Sequence, residues 1–363
     1  MCPQRRRLQR LCAIAVFVLA LMVASGCAGE VGENAPTGDA VPSVGDVSAP
    51  NAQRLENPDE QSNQEEETMI DMVTSSTHVA DVANDPVLDD AARLLFPAEG
   101  WYWSGDTLGS LSYTWYMRLD PQTTVDVVNR LRTDAAAGEQ VFYDIYTDAE
   151  KRADPAKRDT GLYFFRGDPG AHVAVVNAGG GFAYVGAMKD SFPHCLALSR
   201  MGYNAFALIY RPGARTACED LARAIAFIYQ HEDELGVTMD GYSLWGGSAG
   251  ARMAAWLGSY GTEGFGERAY PRAAAVIMQY TGLSEVYGNE PPTYNCVGTS
   301  DSIASWRTMD RRIKAIQARG TDAMIEVFEG LPHGFGLGVG TLAEGWLDHA
   351  AAFWERQLGQ CAR

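Results

Sequence analysis

From Leu162 onward, apolar positions alternate between two patterns. Short, mainly apolar runs at residues 172–176, 205–210 and 242–245, and strand-like segments at 273–280, 293–297 and 323–328, read as strands. Between them, longer stretches with helical spacing cover residues 190–200, 221–235, 251–260, 306–319 and 342–357. Thr216-Ala217-Cys218-Glu219 has the spacing of a capping box and is expected to open the second of these helices. Strands alternating with helices of ten or more residues indicate a parallel sheet, the helices serving as crossovers that cover both faces. The expected fold class is therefore α/β, a mainly parallel sheet with helices on both faces. Upstream, residues 141–146 and 162–166 flank a charged loop and read as an antiparallel lead-in hairpin. This α/β domain is expected over residues 141–363.

The chain has 363 residues, and the stretch before the hairpin lacks this alternation. Residues 1–27 join a basic start, Arg5-Arg6-Arg7 and Arg10, to an apolar run at 11–23 that is too short to span a bilayer. The run closes on Ala24-Ser25-Gly26-Cys27, which is similar to a bacterial lipoprotein signal. That resemblance implies export, cleavage before Cys27 and lipid attachment at its thiol. Ala24 stands where such signals usually carry Leu, so an ordinary secretory peptide is the alternative. Residues 28–85 hold thirteen acidic residues and one basic residue, Arg54, without a sustained apolar period. A segment of that kind buries too little apolar surface to offset its ordering entropy, and a disordered acidic tether is expected. Residues 86–140 are aromatic-dense, with Trp101, Tyr102, Trp103, Tyr113, Trp115 and Tyr116. They are expected to pack as a side layer, with a lid over a ligand pocket as the alternative.

The net charge of −17 argues against nucleic acid and anionic membrane surfaces as partners. Cys195, Cys218, Cys296 and Cys361 belong to the domain, where an exported location permits disulfides and allows three pairings. Cys296, inside a strand-like run, reads as a buried free thiol. No Cys/His cluster has metal-ligand spacing, and neither a metal nor an organic cofactor is implied.

Candidate chemistry centres on Gly246-Gly247-Ser248-Ala249-Gly250, a G-x-S-x-G sequence between a strand-like run and a helical one. In that setting small residues two before and two after the serine let strand and helix pass closely, and the sharp turn lifts the hydroxyl clear. A structural serine turn is the bland alternative. A nucleophilic serine also needs a base, a group that orients the base and donors for an oxyanion. Asn177-Ala178-Gly179-Gly180-Gly181-Phe182, following a buried strand, can turn backbone N–H groups inward as such donors. His333 lies in Leu331-Pro332-His333-Gly334-Phe335-Gly336, a loop after the strand at 323–328. Its rivals His78, His172, His194, His231 and His349 fall in the tether, at a strand start or on helices. Asp301 follows the strand at 293–297, with Glu329, Asp310 and Asp322 as fallback orienters. The order Ser248, Asp301, His333 is one of the known triad orders.

These stretches, with Gly202-Tyr203-Asn204-Ala205-Phe206-Ala207-Leu208-Ile209-Tyr210-Arg211, resemble the α/β-hydrolase superfamily. Within it they resemble small acetyl and acetylxylan esterases and the hormone-sensitive-lipase-like branch. The resemblance implies a serine carboxylic-ester hydrolase acting on a small-molecule ester, with short acyl chains and sugar acetates among its substrates. Ser248 would be the nucleophile, His333 the general acid/base and Asp301 its orienter. The oxyanion hole would be the N–H groups of Gly180 or Gly181 together with that of Ala249. Asn177-Ala178 replaces the His-Gly that opens this loop in the hormone-sensitive-lipase-like branch, which points to the acetyl-esterase type. Two other readings are a serine peptidase of the prolyl-oligopeptidase type and a non-catalytic binding protein on the same scaffold. The 55 residues from 86 to 140 are too few for the propeller such peptidases usually carry.

Overall fold

The computed structural model describes residues 70–96, 102–113 and 117–361. The signal segment, Cys27, most of the expected tether, Trp101, Trp115 and Tyr116 lie outside these residues. Chain order begins with helix α1 (Val79–Ala83) and three two-residue strands, β1 (Trp103–Ser104), β2 (Ser112–Tyr113) and β3 (Met117–Arg118). Helix α2 (Pro121–Ala136) follows, then β4 (Phe142–Tyr143), helix α3 (Asp148–Ala153) and β5 (Gly161–Phe165). The rest is β6 (His172–Asn177), α4 (Ala187–Asp190), α5 (Phe192–Arg200), β7 (Asn204–Ile209), α6 (Ala214–Gln230), α7 (Glu232–Leu235), β8 (Thr238–Gly247) and α8 (Ala249–Tyr260). It ends with β9 (Ala275–Gln279), β10 (Thr293–Gly298), α9 (Trp306–Gln317), β11 (Ala323–Phe328) and α10 (Trp346–Cys361).

Eight strands form one sheet in the order β11-β10-β9-β8-β6-β7-β5-β4. The pairs from β7 through β11 are parallel, while β5 runs antiparallel to both β4 and β7. Every residue of β5, β7, β9 and β10 is buried whichever way it points, so both faces of the sheet are covered. This is the expected fold class, lead-in hairpin included. The order also fixes where a site can form. From β6 the chain moves outward to β7 and then returns to the other side of β6 as β8. Loops leaving the carboxyl ends of β6 and β8 therefore diverge and open a crevice between them.

Several expected boundaries are corrected. Residues 70–85, within the segment expected to be tether, belong to the described fold. Val79, Val82 and Leu88 join the main core, Asn129 exchanges two hydrogen bonds with the Val73 backbone, and Asp85 pairs with Arg132 at 2.5 Å. The acidic composition of the segment masks these few apolar anchors. Residues 86–140 contain a sixteen-residue helix, α2, whose start was readable: Asp120 accepts from Thr123 N–H at 2.7 Å, and Pro121 follows it. Helix α6 begins at Ala214, so Thr216 is helical and caps nothing. Gly213, at φ 105°, turns the chain three residues earlier than the capping-box spacing suggested. The single helix expected at 190–200 is two, with Pro193 in the first turn of the second. Cys195, Cys218 and Cys296 are buried free thiols. Among the described residues no helix is long and apolar enough to cross a membrane, and no acidic, His or Cys group is placed to hold a metal.

Candidate active site

Ser248 sits between the last residue of β8 and the first of α8, at φ 52° and ψ −112°. A non-glycine residue adopts that region only when its surroundings hold it there. Here its own N–H donates to the Gln279 carbonyl at 3.0 Å. A Cβ at Gly246 would strike the backbone of Gly250, and one at Gly250 would strike the Asn177 carbonyl. Both glycines are thus required for the strand, the helix and the neighbouring loop to meet.

Asp301 and His333 arrive on loops that are bonded together. Ser300 N–H donates to the Leu331 carbonyl at 3.1 Å, and Gly330 N–H to the Thr299 hydroxyl at 2.8 Å. His333 Nδ1 lies 2.8 Å from Asp301 Oδ2, and His333 Nε2 lies 3.1 Å from Ser248 Oγ. A carboxylate only accepts, so Nδ1 carries the proton and Nε2 is left to accept from the serine hydroxyl. The other Asp301 oxygen accepts from the N–H groups of Ile303 and Ala304 at 2.8 and 2.7 Å. The Asp301 side chain is fully buried and the imidazole is 8% exposed. The ring of Tyr280 meets the imidazole edge-on at 4.9 Å. The three residues expected to act together are therefore brought into one hydrogen-bonded chain. The fallback acids are placed elsewhere: Asp310 pairs with Lys314, Asp322 accepts from Gln357, and Glu329 is exposed.

The glycine loop leaves β6 beside the serine. A Cβ at Gly179 would lie 3.0 Å from Ser248 Cβ and 2.5 Å from Asp190 Oδ2. Gly181 and Ala249 line the same cavity of about 250 Å³ as Ser248, together with Phe182, Arg252 and Tyr280. Among the described residues no acceptor holds the N–H groups of Gly180, Gly181 or Ala249. The loop is fastened at both ends. Gly179 N–H donates to Asp190 at 3.1 Å, and the Phe182 carbonyl accepts from Gly213 N–H at 2.8 Å. No described residue of 70–140 lines the Ser248 cavity.

Sequence reasoning missed the layer beneath these groups. Buried Asp190 accepts from both Gly179 N–H and the Tyr280 hydroxyl, the latter at 2.6 Å. Burial, reinforced by Asp190, pushes the Tyr280 hydroxyl well above its ordinary range, which keeps it a donor. Gln279 accepts from His194 Nε2 at 2.8 Å and donates to the Gly336 carbonyl at 2.9 Å, tying α5 to the histidine loop. None of these residues lies in a recognisable motif. The one available signal was Gln279-Tyr280 ending a strand beside the elbow.

Strand order, elbow and loop placement define an α/β-hydrolase fold. No protein-family model matches the chain, and no curated protein does either. Among solved structures, the chain is similar to an acetyl ester-xyloside bifunctional hydrolase from Caldicellulosiruptor lactoaceticus. The two are 20% identical over 59% of this chain and 95% of that one, with a TM-score of 0.52. A thermophilic esterase of the planctomycete Thermogutta terrifontis, solved with propionate bound, is 25% identical over 55% of this chain and 89% of its own, at a TM-score of 0.49. MGS-M1, an α/β hydrolase from a Medee basin deep-sea metagenome library, is 18% identical over 55% and 93%, also at 0.49.

Proposed function

We propose that this protein is an exported, lipid-anchored serine esterase that hydrolyses short-chain acyl esters, carbohydrate acetates among them. The observation that carries the reading is the hydrogen-bonded chain from Ser248 through His333 to Asp301 at a strained strand–helix turn. As Ser248 Oγ attacks the ester carbonyl carbon, its proton passes to His333 Nε2. Asp301 then faces the imidazolium it orients. The tetrahedral oxyanion is received by the N–H groups of Gly180 or Gly181 and of Ala249. Collapse breaks the bond to the alcohol oxygen, which takes the proton from Nε2. Water repeats the sequence on the acyl-enzyme and returns Ser248. The cavity of about 250 Å³ suits a small acyl group.

Ser248→Ala should lower kcat by about 10⁴ to 10⁶ with folding intact. Wild-type protein should also take a covalent organophosphonate label that the variant does not. Absence of both ester turnover and label in the wild type would overturn the reading in favour of a binding protein on this scaffold. For the anchor, the Arg-rich start, short apolar run and Cys27 carry the proposal. Cys27→Ser should abolish incorporation of labelled palmitate, and recovery of wild-type protein as soluble, unlipidated material would rule attachment out.

A further inference from the structure

Arg252 stands four residues after Ser248, in the first turns of α8, and lines the same cavity. One helical turn advances about 5 to 6 Å, so serine and arginine are placed along one wall of a small pocket. Among the described residues lining that cavity, Arg252 is the only charged one. It is partly buried, and no hydrogen bond or ion pair is made to it among the described residues. Other inward arginines have partners: Arg132 pairs with Asp85, Arg130 with Asp134, and Arg211 with Asp220 and Asp154. Arg312, buried and without a carboxylate pair among the described residues, donates to the Glu285 carbonyl at 3.0 Å. Glu285 is the acid whose charge Arg252 feels. That carboxyl is held low mainly by backbone N–H bonds, its own first and then that of Ser284, with Arg252 a lesser influence. Glu285 is also too far for an ion pair, accepting from Ser284 N–H at 3.2 Å instead.

A cation near a helix N-terminus opposes the dipole, which favours anions there. Helix α8 has no acidic residue in its first turn to offset it. An unpaired, partly desolvated guanidinium in that place supplies a planar fork matched to a carboxylate. Gly282 lies beside the guanidinium: a Cβ there would stand in ordinary contact, 3.6 Å from Arg252 Nη2.

We propose that Arg252 forms a carboxylate-binding subsite, so that the preferred substrates are small esters carrying a free carboxylate close to the scissile carbonyl. This rests on the esterase reading above and names its substrate class. The carboxylate can belong to the acyl part, as in a dicarboxylic half-ester, or to the alcohol part, as in an acylated hydroxy acid.

The test compares kcat/KM for ethyl hydrogen succinate against ethyl butyrate, and for O-acetylglycolate against ethyl acetate. In the wild type one ratio should reach about tenfold or more, the scale of one hydrogen bond to a charged group. The pair that shows it tells which side bears the carboxylate. High salt should reduce that ratio. Arg252→Met should bring it to about one or below, and Arg252→Lys should keep part of it. Ratios are read within one preparation, so losses of folded protein cancel. Ratios of one or less for both wild-type pairs, or a preference that Arg252→Met retains, would overturn the proposal. Calorimetry separates the two readings. In Ser248→Ala, succinate should bind about tenfold more tightly than in Ser248→Ala with Arg252→Met. That difference without any ester turnover would sink the esterase reading and leave the subsite standing. Turnover of neutral esters with equal succinate affinities would do the reverse.

Discussion

At the scale of single residues, Asp301 and Glu329 offer a direct contrast. Both precede His333 in the chain, and Glu329 is much the nearer, only four residues away. Yet only Asp301 reaches the imidazole, buried and steadied by two backbone N–H groups, while Glu329 faces solvent. Asp301→Asn should lower kcat by about 10⁴, because an amide no longer fixes the tautomer that leaves Nε2 free to accept. Glu329→Gln should stay within roughly tenfold of wild type in the same ester assay, and the reverse pattern would move the orienting role to Glu329. The meeting of Ser248, His333 and Asp301 in one hydrogen-bonded chain was legible in sequence because each follows a strand, where loops of a parallel sheet gather. His194 was not. It reads as an ordinary helix residue, but it lies fully buried between Gln279 and the ring of Trp346. Burial pulls its pKa from 6.5 to about 4, against the opposing pull of Asp190 and the Gln279 bond. Above about pH 6.5 the ring is neutral in both folded and unfolded chains. Between there and about pH 4 the unfolded chain takes up a proton that the native state refuses, so stability falls as pH falls. The loss for this group should approach about 3 kcal/mol below the folded-state value. Denaturant midpoints across that window, for wild type and His194→Gln, should show a steeper decline in the wild type. Parallel curves would remove the effect from His194.

At the scale of elements, what could be read depended on how far each signal was local. Strands β6 and β7 were legible nearly to their ends because burial on both faces leaves nearly continuous apolar runs. Strand β10, interrupted by Asn295, and the edge strand β11, interrupted by Glu326, still read as strands by their mainly apolar or β-branched positions. Strand β8 is longer than its apolar part, since Thr238 to Gly241 pair with β6 only through an irregular register. The glycine loop was recognisable, but what holds it was not. Its supports come from residues 11 and 31 positions beyond its ends, Asp190 after Gly179 and Gly213 after Phe182. Neither has a pattern of its own, because an acid on a short helix and a glycine before a long one are ordinary until the chain folds. Arg252 is similar. Its position on α8 follows from the elbow, but its want of a partner is a property of the surrounding loops. Helix α2 was missed for a different reason. Its core residues Val125, Val127, Val128 and Leu131 alternate with Thr, Asp, Asn and Arg residues that dilute the periodic signal.

At the scale of the whole molecule, composition misled where a few anchors outweigh it. Residues 70–85 belong to the most acidic part of the chain, yet they pack on α2. Valines 79 and 82 are 3% and 1% exposed, and the Asp85–Arg132 pair is nearly as buried, with side chains 8% and 12% exposed. A buried ion pair adds little by itself, but deleting one partner strands the other charge and typically costs about 3 to 5 kcal/mol. Removing the two valines also returns their apolar area to water and exposes the core surface they cover. A chain beginning at Pro86 should therefore unfold with a denaturant midpoint well below that of a chain beginning at Met69, by at least about 3 kcal/mol when converted with a common slope. The Ser248 cavity is lined by residues from 181 to 303, so specific activity per folded molecule should be the same for both chains at low temperature. Equal midpoints would mean that residues 70–85 act as tether despite their contacts, and the earlier composition-based boundary would stand. A lower midpoint together with altered acyl preference would instead tie this segment to the site.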